Sequence, residues 1–300
     1  MGFRVSVVVW VVPTTSFRKP YSHSPTAKIF GEGIDHGSDI DARNKRGETP
    51  LFRALITGKR PPLALIELLL QRGADPNARD SAGQPPIFYA ESSSDNTDGS
   101  LDILNLLILY GADATLRDNQ GNTALFNNKS IKMLGAFLKL GVDVNAFNND
   151  GQSALLCASG NKKVMKFLID HGADVNIRDD KGSTALHIAS TSEVGDVPSI
   201  NCLLLYGADI EARDADGRTP LFFAAGSHFF RGVRALLKAG ANVNARDNQG
   251  QTPFGLVLGG TYLGDNPYYA PEPMGEGNPV YYASNQKKMA SLLQAVGGVV

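Results

Sequence analysis

Cysteine is scarce in this sequence. Its 300 residues hold two, Cys157 and Cys202. Neither has a second Cys or a His at metal-ligand spacing, so no metal site is expected. Both sit in apolar helical patterns, where a free thiol is expected buried and reduced, a usage that suits a reducing compartment. Net charge is also scarce: the formal value is −1, which removes any bulk attraction to nucleic acid or an anionic membrane. No apolar run reaches the length of about 20 residues needed to span a bilayer. There is no phosphate-cradling glycine loop, no nucleophile elbow and no metal-spaced Cys/His set. These absences lead to the expectation of a monomeric, non-enzymatic chain without cofactor or metal. Hydrophobic content of 42% and charged content of 20% are those of an ordinary folded protein.

Repetition is what the sequence has in abundance. A glycine precedes a T-P-L-like or T-A-L-like helix start at Gly47, Gly83, Gly121, Gly151, Gly182, Gly217 and Gly250, at intervals of 36, 38, 30, 31, 35 and 33 residues. A second glycine, ending the helix before it, recurs at Gly37, Gly73, Gly111, Gly141, Gly172, Gly207 and Gly240 with the same six intervals. The stretch Gly172 to Ser190 shows one copy whole. A helix-stop glycine leads into the alternating Val175-Asn176-Ile177-Arg178, which favours an extended leg. Asp179-Asp180-Lys181-Gly182 then makes a tight turn. Thr184 is placed to cap the next helix, as are Thr49, Thr123, Thr219 and Thr252, with Pro50, Pro220 and Pro253 suited to its first turn.

A second helix closes each copy. Its apolar positions stand seven, four and three residues before the helix-stop glycine, as in Ile66, Leu69 and Leu70, or Met165, Leu168 and Ile169. That is one helical face in one shared register, and no copy can bury it alone. The expected fold class is therefore an all-α repeat solenoid of about seven units.

The helix starts G-E-T-P-L-F-R-A (47–54), G-N-T-A-L-F (121–126), G-S-T-A-L-H-I-A (182–189), G-R-T-P-L-F-F-A-A (217–225) and G-Q-T-P-F (250–254) resemble those of the ankyrin repeat family. The resemblance runs from about Gly37 to Gly298. It implies helix-turn-helix units with projecting β-hairpin fingers, and binding of another protein along the finger tips and concave face. The motif His survives only as His187; Phe52, Phe88, Phe126, Leu156, Phe222 and Gly255 replace it. Phe makes none of the hydrogen bonds of an imidazole, so those units are expected to hold their loops by packing. At a repeat position His187 reads as structural, not catalytic. Asp80, Asp118, Asp179, Asp214 and Asp247 occupy one turn position, and all but one of the repeated arginines directly precede an Asp. This column reads as a ladder of exposed charge pairs, each worth little.

Two regions divide the chain: an atypical N-terminal segment or weak cap (1–36) and the repeat array with a C-terminal cap (37–300). Insertions are expected at Glu91 to Ser100 and Thr191 to Pro198. A third, Gly259 to Asn285, carries five tyrosines and four prolines and reads as a recognition loop, a lid or a tolerated long loop. A closing helix is expected over Gln286 to Val296.

The positions around each turn glycine read as free of backbone duty, and they are the candidate partner-binding residues. They include Lys45, Arg46 and Glu48 in the first finger, Gln84 in the second, and Asn119 and Gln120 in the third. Later fingers add Asn149 and Asp150, Asp180 and Lys181, Asp216 and Arg218, and Asn248 and Gln249. The expected function is a cytoplasmic or nuclear scaffold or adaptor that binds another protein. One alternative is a secreted effector with the same binding chemistry, because Val5 to Val12 behind Arg4 resembles a short signal-peptide core, though no clean cleavage site follows. Another is the targeting portion of a larger enzyme assembly. N-terminal sequencing of expressed protein separates secretion from the rest: an intact Met1 or Gly2 terminus is expected, and a start beyond Ser16 would favour secretion.

Overall fold

The structure is a computed structural model that describes residues 39–56, 62–90, 99–126, 128–191, 196–259 and 279–299. The expected N-terminal cap, most of the insertion at Glu91 to Ser100 and residues 260–278 of the tyrosine-bearing insertion lie outside the described residues. Two compact bodies divide the rest: 39–119 with 132–141, and 120–131 with 142–299.

The first body holds α1 (Pro50–Ile56), α2 (Leu63–Gln71), a short 3-10 helix (Pro86–Tyr89), α3 (Gly99–Leu109) and most of α4 (Ile131–Lys139). The second holds α5 (Ala154–Cys157), α6 (Lys162–Asp170), α7 (Ala185–Ala189), α8 (Val197–Leu205), α9 (Pro220–Gly226), α10 (Phe230–Lys238), α11 (Pro253–Leu258) and α12 (Pro279–Ala295). In the second body the first helices α5, α7, α9 and α11 pack in succession, and so do the second helices α6, α8 and α10. Each first helix also pairs with the second helix that follows it. The fold is an all-helical repeat fold of paired helices. Among the described residues no helix is long and apolar enough to cross a membrane.

The register read from the sequence positions the core. The residues seven and four before the helix-stop glycine are fully buried in both bodies: Ile66 and Leu69, Leu104 and Leu107, Met165 and Leu168, Ile200 and Leu203, Val233 and Leu236. The third position is half-buried in most copies, because it lies at the edge of the stripe. Helix ends follow the expected geometry. At Gly172, with φ +94°, the N–H reaches the Ile169 carbonyl at 3.0 Å and the Ala173 N–H reaches that of Leu168 at 3.0 Å, the paired bonds of a left-handed cap.

Several expectations are corrected. Consecutive prolines, Pro85 and Pro86, remove two N–H donors, and the first helix of the second copy tightens to a 3-10 turn. The third copy has only 30 residues between Gly121 and Gly151, and its first helix is reduced to a turn at 124–126. The expected extended leg is a turn: Asp174 accepts the Asn176 N–H on Oδ1 at 2.9 Å and the Ile177 N–H on its carbonyl at 3.2 Å. The fingers are correspondingly shorter than β-hairpins. Among the described residues one antiparallel bridge forms, Phe147 with Ser153. The closing helix begins seven residues earlier than expected, at Pro279, a residue pre-organised for a helix start. Cys202 is buried, but Cys157 is exposed as a residue. Partial withdrawal of its sulfur from solvent, with the Asp150 charge nearby, still pushes the thiol up to about 11.

The threonine caps divide by what stands three residues on. At Thr184 the His187 Nδ1 lies 3.1 Å from the backbone N–H and 2.9 Å from the hydroxyl. The other ring nitrogen, Nε2, lies 3.1 Å from the Arg218 carbonyl in the next copy. A carbonyl only accepts, so Nε2 carries the proton and Nδ1 is the acceptor. Where Phe52 and Phe222 replace the imidazole, the hydroxyls of Thr49 and Thr219 are buried without a partner. Where Gly255 replaces it, Thr252 accepts the Gly255 N–H at 3.1 Å. Packing does compensate: Phe52 meets Tyr89 edge-on at 5.5 Å, and Phe222 is fully buried.

His187 is fully buried, and burial pushes its pKa down from 6.5 to about 4. The native state thus resists a proton that the unfolded chain accepts. Its contribution is complete above about pH 6.5 and is lost as pH falls through about 4, a swing of roughly 3 kcal/mol. A His187→Phe variant is expected to be about 1–3 kcal/mol less stable at pH 7, since it leaves the Thr184 N–H unpaired and takes from the Arg218 carbonyl one of its two donors, the Asp214 N–H remaining. It is also expected to lose less stability than the wild type between pH 6.5 and 4. Urea midpoints across that range test both statements.

Candidate functional site

Six of the fingers are built round an Asp or Asn whose side chain closes the turn. Asp179 Oδ1 accepts the N–H groups of Lys181 at 2.9 Å and Ser183 at 2.7 Å. Asp80, Asp214 and Asp247 do the same in their copies, and Asn44 and Asn148 replace the carboxylate with an amide oxygen. Burial raises the Asp214 pKa, opposed by the Arg218 N–H and its guanidinium. The arginine column does not form the expected charge ladder. Arg79 and Arg213 donate to their own turn-glycine carbonyls at 2.8 and 3.1 Å, and Arg43, Arg178 and Arg213 donate to the carbonyl of the next repeat's arginine. These guanidiniums are spent on backbone, not on neighbouring carboxylates.

A second set of bonds joins consecutive fingers through the main chain. In the first body the Ser81 N–H donates to the Arg46 carbonyl at 2.9 Å, and Asn119 to Ala82 at 3.0 Å. In the second body Asn149 donates to Gln120, Ala215 to Lys181, and Asn248 to Asp216, each at 2.8 Å. Side chains reinforce two of these joints, Asn119 Nδ2 to the Ser81 carbonyl at 3.2 Å and Asn248 Nδ2 to Ala215 at 2.9 Å.

A third set ties the helix ends. Asn176 donates from Nδ2 to the Gly207 carbonyl at 3.2 Å and accepts the Asp209 N–H at 2.8 Å. Asn77 holds Gly111 and Asp113 alike, Asn145 holds Gly172 and Asp174, and Asn244 holds Gly297 and Val299. Nothing in the reading of the sequence singled out these asparagines as joints. For Asn77, Asn145 and Asn176 the available signal was a spacing of 27 to 36 residues from the groups they bind, one repeat; for Asn244 it is 53 and 55, across the last insertion.

The candidate tip residues fall into two groups. The first is engaged. Asn119, Asn149 and Asn248 bond to the preceding finger through the backbone, which corrects the reading that they are free of such duty. Asp180 lies against Gly151. Glu48 accepts from Asn44 at 2.7 Å and pairs with Arg53 at 3.6 Å. Gln84 bonds Asp118 and Tyr89, and Gln120 accepts from Asn122 at 3.0 Å. Arg218 pairs with Asp216 at 3.1 Å, while its buried Nε and the Asp247 Oδ2 have no partner. The second group is Lys45, Arg46, Asp150, Lys181 and Gln249. Their side chains are exposed and make no hydrogen bond or ion pair among the described residues. Lys45 and Arg46, with Asn44, Glu48 and Arg53, line a shallow groove of about 350 Å³. Among the described residues no group of three His, Cys, Asp or Glu side chains is placed to hold a metal ion.

A family model described as ankyrin repeats (3 copies) matches residues 24–118, 92–179, 122–214 and 186–257. The chain is similar to "Intracellular phospholipase A2" of Caenorhabditis elegans, 28% identical over 171 residues, which is 55% of this chain and 15% of that protein. It is also similar to "Inactive serine/threonine-protein kinase TEX14" of Mus musculus, 46% identical over 61 residues, or 20% of this chain and 4% of that protein. The chain thus spans a small part of the length of each of these relatives.

Two glycines measure the finger contact. A Cβ at Gly151, φ +68°, would stand 2.7 Å from the Asp180 backbone nitrogen. At Gly172, φ +94°, it would meet nothing within 4 Å. Gly172→Ala is therefore expected to cost about 1–2 kcal/mol, for backbone conformation alone. Gly151→Ala adds displacement of the neighbouring finger, roughly 2–5 kcal/mol in all. Urea unfolding of the two variants checks the order.

Proposed function

The chain belongs to the ankyrin repeat family, whose repeats bind proteins, and from that premise we propose that it is a scaffold or adaptor that takes another protein on its finger tips and concave face, without catalysing a reaction. The observation that carries this reading is the division of labour at the first, fourth, fifth and seventh tips. Main-chain groups hold the fingers together, while Lys45, Arg46, Asp150, Lys181 and Gln249 offer side chains that the fold does not use. The first finger is basic, with Lys45, Arg46 and Arg53 round one groove. Those of the second body alternate in sign, through Asp150, Lys181 and the Asp216–Arg218 pair. Such a surface suits a polar protein partner, whose mixed charges set register more than affinity. The proposed location is the cytoplasm or nucleus.

A second reading makes the chain the targeting portion of a larger enzyme assembly. It draws on the match to a phospholipase of which these repeats cover only 15%. Co-purification of a catalytic subunit from the native source would favour it.

For the first reading, the test is recovery of partners from the native source by the wild type and by a variant carrying Lys45→Ala, Arg46→Ala, Lys181→Ala and Gln249→Ala. These exposed substitutions are expected to change stability by no more than about 0.5 kcal/mol. Recovery of the partner is expected to fall at least about tenfold. Unchanged recovery would place recognition elsewhere.

A further inference from the structure

We propose that the groove between α8 and α10, on the second helices of the second body, is a docking site for an acidic, amphipathic segment of a partner protein. This site is separate from the finger tips and does not depend on their role.

The groove has a volume of about 630 Å³. Its charged lining is Arg231, Arg234 and Lys238, all on α10 at i, i+3 and i+7, hence on one side of the helix. All three are exposed, and none makes a hydrogen bond or ion pair among the described residues. No carboxylate lines the groove. Asp196, which directly precedes Val197 in the lining, is spent as the α8 N-cap, accepting the Ser199 N–H. Like charges at helical spacing repel one another, so this face is destabilised until an anion covers it. The whole chain carries a formal charge of only −1, so the positive groove is a local construction. On the neighbouring α6, Lys162 and Lys166 lie close enough to act on Cys202 of α8, with Asp170 opposing them.

Spacing and lining choose the kind of anion. Seven residues of helix span about 10 Å, more than one phosphate group bridges but a fit for carboxylates set along a peptide. The rest of the lining is Val197, Asn201, Ala235 and Ala239, small or apolar but for one amide, which leaves room for side chains. At the end of the same α8 face, four and eight residues beyond Asn201 and Val197, Leu205 is 83% exposed. The fold leaves this leucine largely in solvent, and an apolar residue of a docked segment would cover it. Carboxylates over Arg231, Arg234 and Lys238 with an apolar side chain on Leu205 describe an acidic amphipathic segment.

The test is fluorescence anisotropy of the full chain with a labelled synthetic peptide rich in Glu and carrying Leu at helical spacing. Binding is expected to weaken as salt rises from about 0.05 to 0.3 M. It should weaken at least about tenfold in a variant with Arg231→Gln and Arg234→Gln, and again with both changed to Glu. Leu205→Ser is expected to weaken it by a smaller factor, and the four-residue tip variant to leave it unchanged. Matching thermal unfolding midpoints establish that these variants are folded. Equal binding by the double Gln variant, or by a peptide with Gln in place of Glu, would overturn the proposal. So would tighter binding to phosphatidylserine vesicles than to the peptide, or full displacement of the peptide by about 1 mM inorganic phosphate, since either would make the site one for a lipid surface or a single anion.

Discussion

A primary amide donates and accepts at once, and each body of this chain keeps its register by that property. A helix end leaves carbonyls without partners, and the N–H two residues beyond the helix-stop glycine faces outward as well. Asn77, Asn145, Asn176 and Asn244 meet both needs with one side chain, giving Nδ2 to the glycine carbonyl and Oδ1 to the N–H. Where the position holds an acid, only the accepting half is made. Asp41 takes the Asp75 N–H, and Glu211 takes the Asn242 N–H. Burial raises the Asp41 pKa, the Asp75 N–H opposing it. The turns, the arginine bonds and the tip-to-tip bonds all presuppose copies held at this distance.

Much of this frame was legible in the residues, because glycine and apolar spacing are themselves the physical constraints. A helix-stop glycine must take positive φ, and a core position must recur at helical period, so both leave a mark in sequence. What was not legible depended on competition for hydrogen bonds between copies. Asn176 reads as one polar residue of an alternating leg until the Gly207 carbonyl is seen beside it. The arginines read as partners of the aspartates next to them, yet a guanidinium reaches a carbonyl in the next copy more readily than a carboxylate already held by turn N–H groups. The candidate site was half legible. Exposure of Lys45, Arg46 and Lys181 follows from their place at a turn, but the engagement of Asn119, Asn149 and Asn248 needed the adjacent finger.

Loss of the motif histidine shows how a repeat tolerates an imperfect copy. One imidazole joins a threonine to the next copy's backbone. Its replacement by Phe leaves a buried hydroxyl unpaired at Thr49 and Thr219, a cost of about 1–3 kcal/mol each. The added apolar area of Phe52 and Phe222 acts against that cost by an amount of similar size. Neighbouring copies therefore reach comparable stability by different means, and His187 is left as the joint that responds to pH.

The bonds between finger tips run from main-chain N–H to main-chain carbonyl. They are indifferent to which side chain stands at Arg46 or Lys181, so the identity of those residues is uncoupled from the folding of the array. Such a surface is free to drift. A lineage can exchange one tip residue at a time, while selection for a folded chain leaves each step open.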